Sequence, residues 1–160
     1  MNFLQRISLS GVLLLMSFPA FAQTSSQEEP SQKEIQDTVR AEQYFADEIN
    51  FTINPHGVKS VLEGKNQNIT LVDVRAAKNY AEGHVPSAIN LPFDKFSRFE
   101  GTEKEFPELR KDGFNYVYCY ELGCNLATKA ARKLASLGYP VKEMKGGFNA
   151  WKDHNYPIEK

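Results

Sequence analysis

Cysteine, tryptophan and histidine are all scarce in this chain, which holds two cysteines, one tryptophan and three histidines in 160 residues. One cysteine pair makes a poor disulfide framework, so Cys119 and Cys124 are better read as reactive than as structural staples. His56, His84 and His154 are scattered, and no four-ligand spacing of Cys and His is present, which argues against a metal site; no cofactor is expected. A dominant charge is lacking too, with 19 basic against 20 acidic residues and a formal net charge of −1. Without a basic patch, neither nucleic acid nor anionic lipid is expected as a partner. The chain shows no internal repeat.

A long hydrophobic run is also missing. Arg6 precedes an apolar stretch over residues 7–18, followed by Pro19-Ala20-Phe21-Ala22. About a dozen residues broken by a proline fall short of the ~20 that a membrane-spanning helix needs. Basic start, short apolar run and an A-x-A ending form instead the layout of a secretory signal peptide, cut between Ala22 and Gln23. Gln23 stands where a lipid anchor would require cysteine. The expected products are a signal peptide over residues 1–22, an acidic linker and N-terminal helix over 23–50, and a domain over 51–160. The mature protein is expected to be periplasmic or secreted and free of the membrane, in a compartment that permits disulfides.

Residues 23–50 are polar and acidic, and flexible linker is expected over 24–32. Ile35, Val39, Phe45 and Ile49 recur at irregular helical spacing, which predicts an amphipathic helix packed on its own domain rather than on a partner. Beyond it, strand and helix signals alternate, the pattern of a mostly parallel sheet with helices on its faces. Asn54 is an expected N-cap, with Pro55 at the first helical position, Val58, Val61 and Leu62 on one face, and Gly64 at the end. Residues 69–74 read as a buried strand whose charged end, Asp73 and Arg75, reaches the surface. Residues 114–118 read as a second strand that runs directly into Cys119. Leu126, Ala130, Leu134 and Leu137 share a helix face that Gly138 closes, residues 141–144 form a last strand, and Gly146-Gly147 turns into a short helix through Trp151.

Strand, cysteine loop and helix follow one another at Cys119, the place where open α/β sheets hold ligands. Inward loop N–H groups and the partial positive charge of a helix beginning near Asn125 are expected to lower the pKa of Cys119 and make it the more reactive thiol. The alternative is a buried cysteine that acts as a small hydrophobe.

Four blocks now stand in order: Leu71-Val-Asp-Val-Arg75, Gly83-His-Val-Pro-Ser-Ala-Ile-Asn-Leu-Pro92, Tyr118-Cys119 and Gly146-Gly-Phe-Asn-Ala-Trp151. Together the chain resembles the rhodanese-like family. That resemblance implies an α/β fold with a mostly parallel five-stranded sheet flanked by helices on both faces. It also implies a catalytic Cys119 that takes sulfane sulfur as a persulfide and passes it to a thiol or cyanide. Asp73, Arg75 and His84 lie in the family's blocks and are expected to fix loops through hydrogen bonds and ion pairs.

The family's usual loop is C-x-x-G-x-[RST], whereas this one reads Cys119-Tyr120-Glu121-Leu122-Gly123-Cys124-Asn125. Tyr120, Glu121, Leu122, Gly123 and Asn125 are the expected substrate-binding residues. The loop carries Glu121 and no Arg or Lys, which disfavours thiosulfate. Cysteine phosphatases of this fold need an arginine where Asn125 stands, so phosphatase activity is not expected. Cys124 is placed to attack a persulfide on Cys119, expelling sulfide and leaving a disulfide; alternatively it packs under the helix. Two functions follow: a sulfurtransferase or thiol-redox protein, with a small sulfur donor or a thiol acceptor, protein thiols included, as partner; or a rhodanese-like binding module with reduced catalysis.

Overall fold

The computed structural model describes residues 37–64, 68–93 and 105–160. The expected signal peptide, its cleavage site, the linker and Ile35 lie outside the described residues. The elements run α1 (Thr38–Phe51), β1 (Thr52–Ile53), α2 (Pro55–Glu63), β2 (Ile69–Asp73), α3 (Ala77–Glu82), β3 (Ile89–Asn90), β4 (Phe114–Tyr118), α4 (Leu126–Ser136), β5 (Val141–Met144) and α5 (Gly147–Asp153). The five strands form one sheet in the order β1-β5-β4-β2-β3. Every pairing is parallel, with Leu71 opposite Tyr116 and Val117 opposite Glu143.

Both faces of the central strands are covered, which is why β2 and β4 read as continuous apolar runs rather than as alternation. Because side chains alternate along a strand, Val72, Val74, Val117 and Cys119 pack on one side with Ala127, Ala130 and Leu134 of α4. Leu71, Tyr116 and Tyr118 point the other way, toward Val58 of α2 and Phe148 and Trp151 of α5. Cys119 thus belongs to the α4 side of the sheet. The Asn54 cap forms as expected, its side chain accepting from the Gly57 N–H at 2.7 Å.

Two expectations are overturned. Asp73 and Arg75 do not reach the surface: they are 0% and 3% exposed and pair with each other at 2.6 Å, because the covered strand end takes both charges out of water and each then requires an opposite partner. Helix α1 forms, but Val39, Phe45 and Ile49 do not pack on the domain and remain 76%, 59% and 76% exposed. The face turned toward α4 and β5 carries Tyr44, Asp47, Glu48 and Phe51 instead, and no residue of α1 is fully buried.

Candidate active site

β4 is the middle strand of the sheet, and its last residue, Tyr118, delivers Cys119 to the C-terminal edge. The loop 119–125 then turns through a hydrogen bond from the Cys124 N–H to the Glu121 carbonyl, 3.1 Å, and enters α4 at Leu126. A second element holds the loop from behind. The Phe148 N–H donates to the Cys119 carbonyl at 2.9 Å and the Asn149 N–H to the Tyr120 carbonyl at 2.8 Å. Gly147 makes this approach possible: at φ +57°, a β-carbon there would lie 2.6 Å from the Cys119 carbonyl oxygen, so only glycine fits.

Cys119 is buried at 2% exposure. Its Sγ–H donates to the Cys124 carbonyl at 3.2 Å, and the Glu121 carbonyl lies 4.0 Å from the sulfur. As an acceptor, the Cys124 carbonyl favours the protonated thiol. Burial is the main cause that pushes the Cys119 thiol up to about 11, and the neighbouring Cys124 thiol adds to it; backbone hydrogen bonding at Ala127 and Glu121 acts in the opposite direction without winning. The expected lowering of the Cys119 pKa is therefore reversed: loss of hydration penalises the thiolate more than the start of α4 stabilises it. Both cysteines are free thiols, with Cys124 half-buried.

The other expected site residues line the loop's outer side. Glu121, Leu122, Gly123 and Asn125 are exposed and Tyr120 is half-buried. The Tyr120 hydroxyl donates to Asn79 Oδ1 at 2.8 Å, and Asn149 Nδ2 donates to Glu121 Oε2 at 3.3 Å. Asp73, Arg75 and His84 hold neighbouring backbone in place. Arg75 Nη2 donates to Asp73 Oδ2 at 2.6 Å and to the Gly83 carbonyl at 2.7 Å, and the guanidinium lies 4.0 Å from the Phe148 ring centroid. His84 stacks on Tyr80 at 3.8 Å and meets the Tyr80 carbonyl through Nδ1. The residue-by-residue reading missed Asn79 and the clamp formed by Phe148 and Asn149. The signal available for the clamp was the glycine pair at 146–147, legible as a turn but not as a support for a loop that is distant in sequence.

Residues 55–154 match the family of the rhodanese-like domain. The chain belongs to that family. It is 31% identical over 109 residues to the thiosulfate sulfurtransferase GlpE of Actinobacillus pleuropneumoniae, a match covering 67% of this chain and 91% of that enzyme. It is 36% identical over 106 residues to the adenylyltransferase and sulfurtransferase UBA4 of Candida albicans; the match covers 64% of this chain but only 24% of that longer protein. A crystal structure of a protein from Bacillus halodurans superposes with a TM-score of 0.64 at 31% identity, covering 77% of this chain and 86% of that one. The rhodanese-like domain and its sulfurtransferase relatives support a sulfurtransferase-type role.

Proposed function

We propose that the chain is an exported sulfurtransferase in which Cys119 carries sulfane sulfur as a persulfide and Cys124 is the resolving thiol. The observation that carries this reading is the position of the Cys119 sulfur. It follows directly on the middle strand of a rhodanese-like sheet, inside a loop clamped by α5, with the backbone of a second cysteine 3.2 Å away. A persulfide on Cys119 presents two fates. An external thiolate that attacks the outer sulfur carries it away and leaves the Cys119 thiolate. Alternatively, the Cys124 thiolate attacks Cys119 Sγ, the S–S bond to the outer sulfur breaks, hydrosulfide leaves and a Cys119–Cys124 disulfide remains, to be reopened by a thiol reductant.

Mass spectrometry of the reduced protein after exposure to sulfur donors tests both parts. The parent is expected to gain a sulfur atom on Cys119 and then lose it with formation of the disulfide, while Cys124→Ser retains the persulfide. A parent that never gains sulfur contradicts the reading. Export rests on residues 1–22 of the sequence, and the expected extracytoplasmic form starts at Gln23. Recovery of intact Met1 protein held in membranes contradicts it.

One observation favours the second reading, a binding module with reduced catalysis. A thiol pushed up to about 11 by burial is held in its protonated, weakly nucleophilic form at pH 7. The sulfur-loading measurement separates the two, because a binding module takes up no sulfur at any pH.

A further inference from the structure

We infer that the sulfur donor for this site is a persulfide on an uncharged organic thiol, selected against thiosulfate by Glu121 on a loop that carries no cation. The inference rests on the sulfurtransferase reading above. Its basis is the distribution of charge around one sulfur atom.

The Cys124 and Glu121 carbonyls lie 3.2 and 4.0 Å from Sγ, and backbone hydrogen bonding at Ala127 and Glu121 acts the other way, so the charge that sets the loop's sign is the carboxylate of Glu121. Glu121 is the only charged residue of the loop 119–125, and its carboxylate accepts from Asn149 Nδ2 at 3.3 Å on the exposed side of the loop. Arg75, which reaches the same region, is neutralised by buried Asp73 and turned onto the Phe148 ring. Lys152 belongs to the adjoining cleft, where it lies over Phe148 at 5.2 Å. A dianion entering here leaves its hydration for a like charge, without a charge-assisted clamp among the described residues. Leu122 on the loop tip is 77% exposed and offers apolar contact to an organic chain. With a protonated persulfide R–S–SH, the Cys119 sulfur attacks the outer sulfur, the S–S bond of the donor breaks, and the Cys119 proton ends on the departing thiol. The products are Cys119–S–SH and R–SH, with no net oxidant or reductant required.

The test compares initial rates of Cys119 persulfide formation, by mass spectrometry of the full-length protein, from equal concentrations of thiosulfate and 2-hydroxyethyl persulfide. The parent is expected to load at least roughly tenfold faster from the alkyl persulfide. Glu121→Lys is expected to raise the ratio of thiosulfate to persulfide loading by roughly tenfold, and Glu121→Gln by less, as for charges on the rim of a binding site. Unchanged thermal unfolding verifies that both variants fold. Parent protein that loads equally fast from thiosulfate, or a ratio that neither variant moves, overturns the inference while leaving the sulfurtransferase reading intact. Loading from neither donor overturns both.

Discussion

At the scale of single residues, the chemistry is decided by the environment of one thiol. A free cysteine titrates near ~8.5, and burial holds Cys119 up to about 11. Alkylation with iodoacetamide at pH 7 is therefore expected to modify half-buried Cys124 first. The Cys119 rate is expected to rise roughly tenfold per pH unit until it levels near the folded-state pKa; early, pH-independent labelling of Cys119 contradicts this. The same shift is linked to stability, because a folded-state pKa above the unfolded value means that the protonated thiol is the form the fold favours. Stabilisation on the order of 3 kcal/mol is complete below pH ~8.5 and is lost as pH rises through the folded-state pKa. Urea midpoints measured across that range are expected to fall in the parent and to flatten in Cys119→Ser.

At the scale of elements, the loop is shaped by neighbours distant in sequence. Gly147→Ala places a methyl group 2.6 Å from the Cys119 carbonyl at a backbone angle that disfavours any side chain. It is expected to cost about 2 kcal/mol and to slow sulfur loading, as measured by thermal unfolding alongside mass spectrometry. Asp73→Ala leaves Arg75 buried and uncompensated beneath the same helix, and chemical denaturation is expected to show a loss of about 3–5 kcal/mol. Replacing both members of the pair by apolar residues of similar size is expected to recover most of that loss. Helix α1 behaves in the opposite sense. Ile49 is 76% exposed, so Ile49→Ser is expected to shift stability by less than about 0.5 kcal/mol; a larger loss in the same denaturation experiment means that Ile49 is covered in solution.

At the scale of the whole molecule, the parallel sheet separates two packed layers, one around α4 and one around α2 and α5, and the cysteine loop joins them. Cys119 leaves β4 on the α4 side, while its carbonyl is bonded by α5. Leu134 of α4 is fully buried, and Leu134→Ala is expected to cost about 2–5 kcal/mol by opening a cavity in the layer beneath the sulfur. Unfolding followed by circular dichroism checks this, and a loss below that range means that the layer closes around the gap.

The amino-acid sequence by itself determined the local elements, since the Asn54–Pro55 start, the two buried strands, the α4 stripe and the Gly146-Gly147 turn each follow from a residue's own conformational preference or from periodic apolar spacing. It also determined the family, through four blocks whose residues are adjacent in the chain. The short strands β1 and β3, two residues each, carry no period and exist because longer neighbours pair with them. Only the tertiary structure decided that Asp73 and Arg75 close on each other inside the protein, that α1 turns Val39 and Ile49 outward, and that the Cys119 pKa rises rather than falls. Each of these depends on what lies opposite a side chain across the fold. Desolvation and ion pairing are set by such neighbours, which neither spacing nor propensity encodes.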